Sequence, residues 1–482
     1  MKQWKWQVAF FVLIYLLLPN SNPSSDALGY AAEVRWNGSL WSAHHLLYNA
    51  WCLLLWKCAL PFHDFEPLPL LQAGNALAAG AVLWITGLLL DRFRREYSAA
   101  AVVFTGSSFG FMRYATENET YIMPLLFGVL ALWFLTGNLR GKGWWTALSL
   151  ALAMLFHQTY IFWWMAMVWY VWRSEGWRQA LKPAAALPAV AIVYALVAYT
   201  EGASLWRFLF HDVYEGGVQT TVSERNFIMT PVSLLRSFLQ VHGYIFWSWK
   251  HDGLWSQLMS TAVFGLLAIS LLKLVRGLQH PVKHNLLQLF LLPAFILHLL
   301  FAFYSEGNAE FMVMIPFLFA CGISVCAPVQ ANRLFLTGVC MLCWNLLHGL
   351  LPWHFRDFYG HNQLFQIWVN RTPDTYLVSE EPVMMRNLYY YHSGIEDSQL
   401  ILDSPDWAIS KGGSADSAIM AIDSVLKQPY KFVWYADYSR YLLNRASLTS
   451  AKHGIKGMER FNLVKADSFR NMHGLNHIYR LE

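Results

Sequence analysis

Apolar runs of nearly membrane-spanning length recur from the N-terminus to about Leu351, and they constrain this chain more than any other feature. A helix needs about 20 consecutive, mainly apolar residues to cross a bilayer. Of the 482 residues, 56% are hydrophobic and only 13% are charged, whereas charged residues make up about 25% of ordinary soluble domains. We therefore predict an all-α polytopic membrane protein with about 11 transmembrane helices.

The basic residues indicate how the predicted spans are oriented. Lys2 and Lys5 precede the first apolar run, and Arg92 and Arg140 lie in connections that fall on the same side. Because Lys and Arg are enriched in cytoplasmic loops, we expect a cytoplasmic N-terminus. The stretch Leu18–Ser21 is a poor small-residue cleavage site, so the first run is predicted to be an uncleaved helix rather than a signal peptide.

Beyond Leu351 charged residues become frequent and the pattern changes. Two short runs rich in β-branched and aromatic residues, Thr375–Ser379 and Tyr430–Tyr435, alternate with helical patterns at Pro382–Tyr391 and Ala415–Lys427. This alternation predicts a small α/β domain, and an odd number of spans would place it on the periplasmic side. The expected domains are 1–351, transmembrane with outer loops 20–68 and 201–253, and 352–482, soluble and periplasmic.

Both long outer loops contain aromatic segments. Ser42–Leu60 carries too much charge and histidine to span comfortably, and its Trp51 and Trp56 are suited to the membrane interface. We expect this segment to be a helix lying in the interface. The second segment, Phe238–Trp249, is predicted to be another interfacial helix or a mobile lid.

Acidic residues cluster on the predicted outer side, which the insertion rule does not require. Asp26, Tyr30 and Glu33 follow the first run at a spacing that puts them on one helix face. The other candidate groups on that side are His44 with His45, Arg113 with Glu117 and Glu119, His157, and Glu306 with Glu310.

Each candidate also has a purely structural reading. Asp26 could cap a helix that begins after Ser24-Ser25, since Asp is a favoured N-cap residue. Glu117 and Glu119 could be solvated loop charges, and His157 a satisfied interfacial histidine. Glu310 could simply compensate a helix dipole.

The arrangement of these residues resembles the GT-C superfamily of membrane glycosyltransferases, which use polyprenyl-phosphate sugars and include protein O-mannosyltransferases and lipid A aminoarabinose transferases. Asp26 matches the family's catalytic acid of the first outer loop, and Arg113–Tyr121 matches its second acidic loop. The family's paired Asp-Glu is replaced here by Asp26-Ala27. The resemblance implies a bacterial inner-membrane enzyme with about this many spans and an outer C-terminal domain.

The chemistry of such a transfer assigns roles to these residues. An acceptor hydroxyl must lose its proton as it attacks the anomeric carbon, and Asp26 is the expected base, with Glu117 and Glu119 also catalytic. One base without a covalent intermediate predicts inversion. Substrate contacts are expected from Tyr30, His44, His157, Glu306 and Glu310.

The leaving polyprenyl phosphate needs a cation, and Arg113 is favoured because its planar fork can bind two phosphate oxygens. The other outer cations considered are Arg207, Arg225, Arg236 and Lys250. A divalent metal is possible, because His44, His45, His157, Glu117 and Glu119 are ligand types for zinc or manganese.

The expected partners are a polyprenyl-phosphate-linked sugar donor, a lipid, protein or glycan acceptor, and membrane lipids, with no nucleic acid. A flippase or transporter of lipid-linked sugars is the first alternative. Such a protein would be expected to carry charged residues at the membrane midplane or paired broken helices in two related halves of the sequence, and neither is evident. A glycan polymerase or ligase is the second, and the few outer arginines argue against it.

Overall fold

A computed structural model describes residues 3–210, 222–241, 245, 253–278, 284–326, 330–371, 373–396, 398–410, 413–438 and 458–482. Most of the predicted aromatic segment Phe238–Trp249, together with the candidate cation Lys250, lies outside the described residues. The chain divides into two compact units. The first holds Met1–Pro19, Ser39–Val241 and Leu254–Leu351, and the second includes Asn20–Gly38 and Pro352–Glu482.

All regular secondary structure in the described part of the first unit is helical. Its α-helices are Trp4–Leu17, Tyr48–Ala59, Pro67–Phe93, Ser98–Ser107, Phe109–Ala115, Ile122–Leu135, Lys142–Phe156, Ile161–Glu175, Trp177–Ala184, Ala186–Thr200, Leu205–Leu209, Glu224–Phe238, Gly253–Arg276, Leu292–Tyr304, Ile315–Cys326 and Ala331–Asn345. Short 3₁₀ segments occur at Arg95–Tyr97, Gln158–Tyr160 and Ala309–Met312, and π segments at Leu287–Leu291 and Leu346–Leu350.

Four of the described helical stretches are long and apolar enough to cross a membrane: Pro67–Phe93, Trp177–Thr200, Gly253–Arg276 and Ala331–Phe355. On the third of these, large apolar side chains such as Phe264 are exposed rather than packed against the protein. This is the pattern of a helix that faces lipid tails. The expected polytopic helical membrane protein is confirmed at this level, and the count of about 11 spans stays a prediction.

A buried asparagine joins three helices of the first unit. The Asn345 side-chain amide donates to the carbonyls of Ser107 (2.7 Å) and Phe238 (2.8 Å), and its oxygen accepts from the Gln240 amide (2.8 Å). The first of these carbonyls lies where the chain leaves the helix Ser98–Ser107, because Ser108 is extended (φ −71°, ψ 134°). The bond therefore satisfies a buried helix end that would otherwise lack a donor.

The predicted interfacial helix is shorter than expected. We expected it to cover Ser42–Leu60, whereas the helix runs from Tyr48 to Ala59. The preceding residues form turns, because Gln158 donates its side-chain amide to the Ala43 carbonyl (2.7 Å) and its backbone amide to the His44 carbonyl (3.3 Å). These bonds compete with the helix for the same backbone groups.

The second unit is a small α/β fold around a five-stranded sheet. The strands are β1 Thr375–Ser379, β2 Ile401–Asp403, β3 Phe432–Asp437, β4 Leu463–Asn471 and β5 Gly474–Leu481. Their order in the sheet is β2-β1-β3-β5-β4. Strands β1, β2 and β3 are parallel, and β5 pairs antiparallel with both β3 and β4. The helices of this part of the chain are Ser25–Trp36, Leu351–Phe355, His361–Val369, Pro382–Ser393, Pro405–Ser410 and Ala415–Leu426.

Residues far apart in sequence complete the second unit. The Asn22 side-chain amide donates to the carbonyls of Trp353 and Arg356, each at 2.8 Å, and its oxygen accepts from the Phe358 amide (2.8 Å). Asn22 is buried, so these bonds take the place of water at its side-chain nitrogen and oxygen. The helix Ser25–Trp36, which carries Asp26, is thereby part of the same unit as the sheet.

Candidate active site

The acidic segment of the first unit is buried. Glu117 and Glu119, between the helices Phe109–Ala115 and Ile122–Leu135, expose only 1% and 3% of their surface. This burial contradicts the reading of the two residues as solvated loop charges. Carboxylates are almost never fully buried without partners, because removing their charge from water is costly.

A neighbouring helix holds the backbone of this segment in place. Asn75, in the helix Pro67–Phe93, donates its side-chain amide to the carbonyls of Glu117 and Glu119, each at 2.7 Å. Tyr48 donates its hydroxyl to the Asn118 side-chain oxygen (2.9 Å). Because Asn75 and Asn118 are both buried, these bonds take the place of water and hold the backbone that carries the two glutamates.

Arg113 lies one helical turn before Glu117. Its Nε is 3.4 Å from a Glu117 carboxylate oxygen, and 19% of the Arg113 side chain remains exposed. The guanidinium also lies 5.1 Å from the centre of the Tyr114 ring. Arg113 therefore places a partly exposed positive charge beside a buried carboxylate.

Glu310 joins the same region from a distant part of the sequence. Its carboxylate accepts hydrogen bonds from the Tyr121 hydroxyl (2.8 Å) and the Asn308 side-chain amide (3.0 Å). Glu310 lies in the first turn of the short 3₁₀ segment Ala309–Met312, as the helix-dipole reading expects. These two bonds show that its carboxylate also binds specific side chains.

His157 lies between the helix Lys142–Phe156 and the segment Gln158–Tyr160, and it is 3% exposed. The Thr159 backbone amide donates to His157 Nδ1 (3.2 Å), so in the neutral ring the proton lies on Nε2.

Aromatic contacts connect His157 to both neighbouring groups. Its ring centre is 5.2 Å from that of Tyr121 and 4.8 Å from that of His45. The His157 Nε2 is buried and has no hydrogen-bond partner among the described residues. A buried donor of this kind is available to a bound molecule.

Glu306 occupies a different environment from Glu310. It has a left-handed backbone (φ 54°) and forms a 3.5 Å ion pair with Arg225, whose side chain is 48% exposed. The positive φ of Glu306 and of Gly307 separates Glu306 from the 3₁₀ segment that carries Glu310. Glu306 and Glu310 therefore do not lie on one helix.

Asp26 lies in the second unit, in the first turn of the helix Ser25–Trp36, and is exposed. The helix also contains Tyr30 and Glu33, which confirms the helical spacing expected from the sequence. The capping side chain is that of Ser24, which accepts from the Ala27 amide (3.0 Å). The reading of Asp26 as the N-cap residue is therefore wrong.

The candidate residues thus fall into two groups. The first unit brings together Arg113, Glu117, Glu310 and His157 through the contacts above, and it also contains Glu119, His44 and Glu306. The second unit contains Asp26 and Tyr30. His44, which follows Asp26 closely in sequence, belongs to the other unit.

No group of three or more His, Cys, Asp or Glu side chains placed to hold a metal ion occurs in the part of the chain that the structure describes. The adjacent rings of His44 and His45 are 6.0 Å apart between centres and tilted by 59°. His45 contacts His157 instead, as described above.

Two residues that position this site were not predicted from the sequence. Asn75 and Tyr48 hold the acidic segment. Tyr121, which connects this segment to Glu310, lies within the predicted loop Arg113–Tyr121. Asn75 could have been recognised from the sequence, because it is a polar residue in the long apolar run Pro67–Phe93. Such residues usually face the protein interior and mark functional or packing contacts.

No protein-family model matches the chain, and no curated protein matches it. Among solved structures, ArnT from Cupriavidus metallidurans bound to undecaprenyl phosphate is similar over 99% of this chain and 97% of that chain, with 12% identity and a TM-score of 0.50. Apo ArnT gives 12% identity, 98% and 97% coverage, and a TM-score of 0.40.

The archaeal oligosaccharyltransferase AglB from Archaeoglobus fulgidus, in complex with an inhibitory peptide and a dolichol-phosphate, gives 11% identity and a TM-score of 0.45. That alignment covers 99% of this chain and 74% of AglB. The likeness to undecaprenyl-phosphate-bound ArnT extends over nearly the whole of both chains, so the overall fold that the resemblance implied is confirmed.

Proposed function

We propose that this protein is an inverting membrane glycosyltransferase that moves a sugar from a polyprenyl-phosphate carrier to an acceptor hydroxyl. The observation that carries the proposal is the pair of buried carboxylates Glu117 and Glu119 beside Arg113, inside an apolar helical unit. Ionisable groups in such surroundings are costly, and a functional role is the default explanation for them. The likeness to ArnT bound to undecaprenyl phosphate supports the carrier lipid.

Asp26 is the general base of this proposal. Its carboxylate takes the proton of the acceptor hydroxyl while the hydroxyl oxygen forms a bond to the anomeric carbon. The bond from that carbon to the phosphate oxygen breaks, and the polyprenyl phosphate leaves with the electron pair. One displacement by one nucleophile inverts the configuration of the anomeric carbon. Its exposed position in the first turn of its helix leaves Asp26 accessible to an acceptor.

Arg113 neutralises the leaving phosphate in this mechanism. A guanidinium can donate two parallel N–H bonds to phosphate oxygens, and Glu117 holds the Nε side of Arg113. Glu119 shares the segment clamped by Asn75, and it contributes the second buried negative charge of the site.

The remaining candidates contact the sugar and its carrier. His157 offers its buried Nε2 proton to a sugar or phosphate oxygen, and Tyr30 presents its ring and hydroxyl one helical turn after Asp26. His44, Glu306 and Glu310 are the other proposed substrate contacts. We place the reaction on the periplasmic face of a bacterial inner membrane, with a transmembrane domain at 1–351 and a soluble domain at 352–482.

Replacing the base tests this proposal. In a strain lacking the native protein, Asp26→Asn should slow consumption of the polyprenyl-linked sugar donor by at least about 100-fold, the usual contribution of a general base. Mass spectrometry of extracted lipids, normalised to the amount of protein in the membrane, measures the rate.

Asp64→Asn is the matched control, because Asp64 is an exposed carboxylate of the same predicted outer loop and undergoes the same chemical change. It should consume donor at the wild-type rate. Near-normal turnover by Asp26→Asn, or equal losses in both variants, would contradict the role of Asp26.

A further inference from the structure

The helix that carries Asp26 is held by one helix of the sheet-containing part of the second unit. We call Ser25–Trp36 the Asp26 helix and Pro382–Ser393 the Asn387 helix. The Asn387 side-chain amide donates to the Ser25 carbonyl at 2.7 Å. Ser25 immediately precedes Asp26, so this bond acts on the turn of the helix that carries the proposed base.

Glycine allows the two helices to approach at this point. A Cβ atom on Gly29 would lie 3.2 Å from the Asn387 amide nitrogen, closer than an ordinary contact. Gly29 lies one turn after Ser25, on the side of the Asp26 helix that meets Asn387. Because glycine is intrinsically unfavourable inside a helix, its presence here is explained by the close approach.

Three further contacts fix the other end of the Asp26 helix. Trp36 donates its indole N–H to the Tyr391 carbonyl (3.2 Å), and Tyr390 donates its hydroxyl to the Glu33 carboxylate (3.4 Å). The Arg35 guanidinium lies 5.1 Å from the centre of the Tyr391 ring. With both ends fixed, the Asp26 helix cannot rotate or slide without breaking polar contacts at each end.

We propose that Asn387 is a positioning residue for Asp26, and that the C-terminal α/β part of the chain serves as the rigid support of the catalytic base. This inference rests on the proposed role of Asp26. A displacement of about 1 Å in a catalytic group can cost about 100-fold in rate, so the geometry of the first turn matters directly. The role differs from acceptor recognition, because it needs no contact between Asn387 and any substrate.

Asn387→Leu tests the role, since leucine has a similar size but no N–H donor. Donor consumption is measured by mass spectrometry of lipids from a deletion strain that expresses each full-length variant. Asn387→Leu should lower the rate about tenfold per molecule of protein, through misplacement of the base. Binding of undecaprenyl phosphate to the purified variant should be unchanged.

Two further variants test whether the slower rate of Asn387→Leu is only a result of lost protein stability. Arg386→Met removes the neighbouring side chain, which donates to the Ile401 carbonyl (3.1 Å) and to Asp403 (2.6 Å) of β2. It should lower the melting temperature and leave the rate unchanged. Gly29→Ala places a methyl group against the Asn387 side chain and should slow the reaction, although alanine is more favourable than glycine inside a helix.

The decisive readout is the double variant with Asp26→Asn. If Asn387 acts through Asp26, Asn387→Leu has no further effect on the residual rate of Asp26→Asn, because there is no base left to position. The same tenfold loss in that background, or a wild-type rate for Asn387→Leu alone, would overturn the positioning role. Full activity of Asp26→Asn would instead overturn the proposed function, so the two failures are distinguishable.

Discussion

At the scale of single residues, several buried polar groups of the site are held by hydrogen bonds or ion pairs to named partners. Asn75 holds two carbonyls of the acidic segment, Glu117 holds Arg113, and Tyr121 holds Glu310. An unpaired group in these surroundings would cost about 1–3 kcal/mol, more if it is charged. The contacts therefore explain how an apolar unit tolerates the acidic residues of the proposed chemistry.

Asn75→Leu should destabilise the acidic segment. The variant leaves two buried carbonyls without their donor, which costs about 1–3 kcal/mol per group. We expect a lower melting temperature of the purified protein and a slower transfer, because both carbonyls belong to proposed site residues.

Thr86→Val is the matched control in the same helix. Thr86 is also fully buried, but its hydroxyl donates to Val82 within the helix (2.8 Å). Its loss should leave the rate unchanged. A melting temperature for Asn75→Leu equal to that of Thr86→Val would refute the clamp.

Arg113→Lys should fail to support transfer even though the charge is kept. Lysine cannot reproduce two parallel N–H bonds to a phosphate, and it cannot keep the same geometry beside Glu117. We expect weaker binding of undecaprenyl phosphate by the purified variant and a loss of at least about tenfold in rate. Wild-type binding and rate would show that Arg113 is a structural partner of Glu117 only.

At the scale of elements, helices and strands with a regular sequence pattern were predictable, whereas very short strands and pairings between distant segments were not. Strand β1 occurs as predicted, and the helix Ala415–Leu426 ends one residue from its expected end. Strand β2 has only three residues, which is too short for a periodicity signal, and β4 carries many polar residues. The sequence therefore predicted the fold class of this unit but only part of its sheet.

The candidate site shows the same limit. Arg113, Glu117 and Glu119 could be proposed from the sequence because they are neighbours in it, and Asp26 because it follows the first apolar run. Their structural partners were not, since Asn75 is separated from Glu117 by 42 positions and Asn387 from Ser25 by 362. Tertiary contacts of this kind leave no local pattern.

The hairpin of β4 and β5 carries a pH-sensitive residue outside the membrane spans. Burial lowers the pKa of His473 to about 4 from its ordinary value of 6.5. Between these values the unfolded chain binds the proton and the folded chain does not, so stability falls as pH drops from about 6.5 to about 4. His473→Gln should flatten this part of the melting temperature profile, and an unchanged profile would refute the assignment.

At the scale of the whole molecule, the residues of the proposed chemistry come from both units. The proposed residues Arg113, Glu117 and Glu119 belong to the first unit, and the proposed base Asp26 belongs to the second. The expected orientation places the C-terminal domain in the periplasm. An alkaline phosphatase fusion at the C-terminus should therefore be active in bacteria, because that reporter folds only where disulfides form. An inactive fusion of normal abundance would contradict this topology.

The most direct test of the central claim is the composition of lipid-linked sugars in a strain that lacks this protein. Mass spectrometry should show accumulation of a polyprenyl phosphate carrying one sugar, which falls again when the wild-type chain is expressed but not when Asp26→Asn is expressed at the same level. Lipid-linked sugars that are identical with and without the protein would contradict the account.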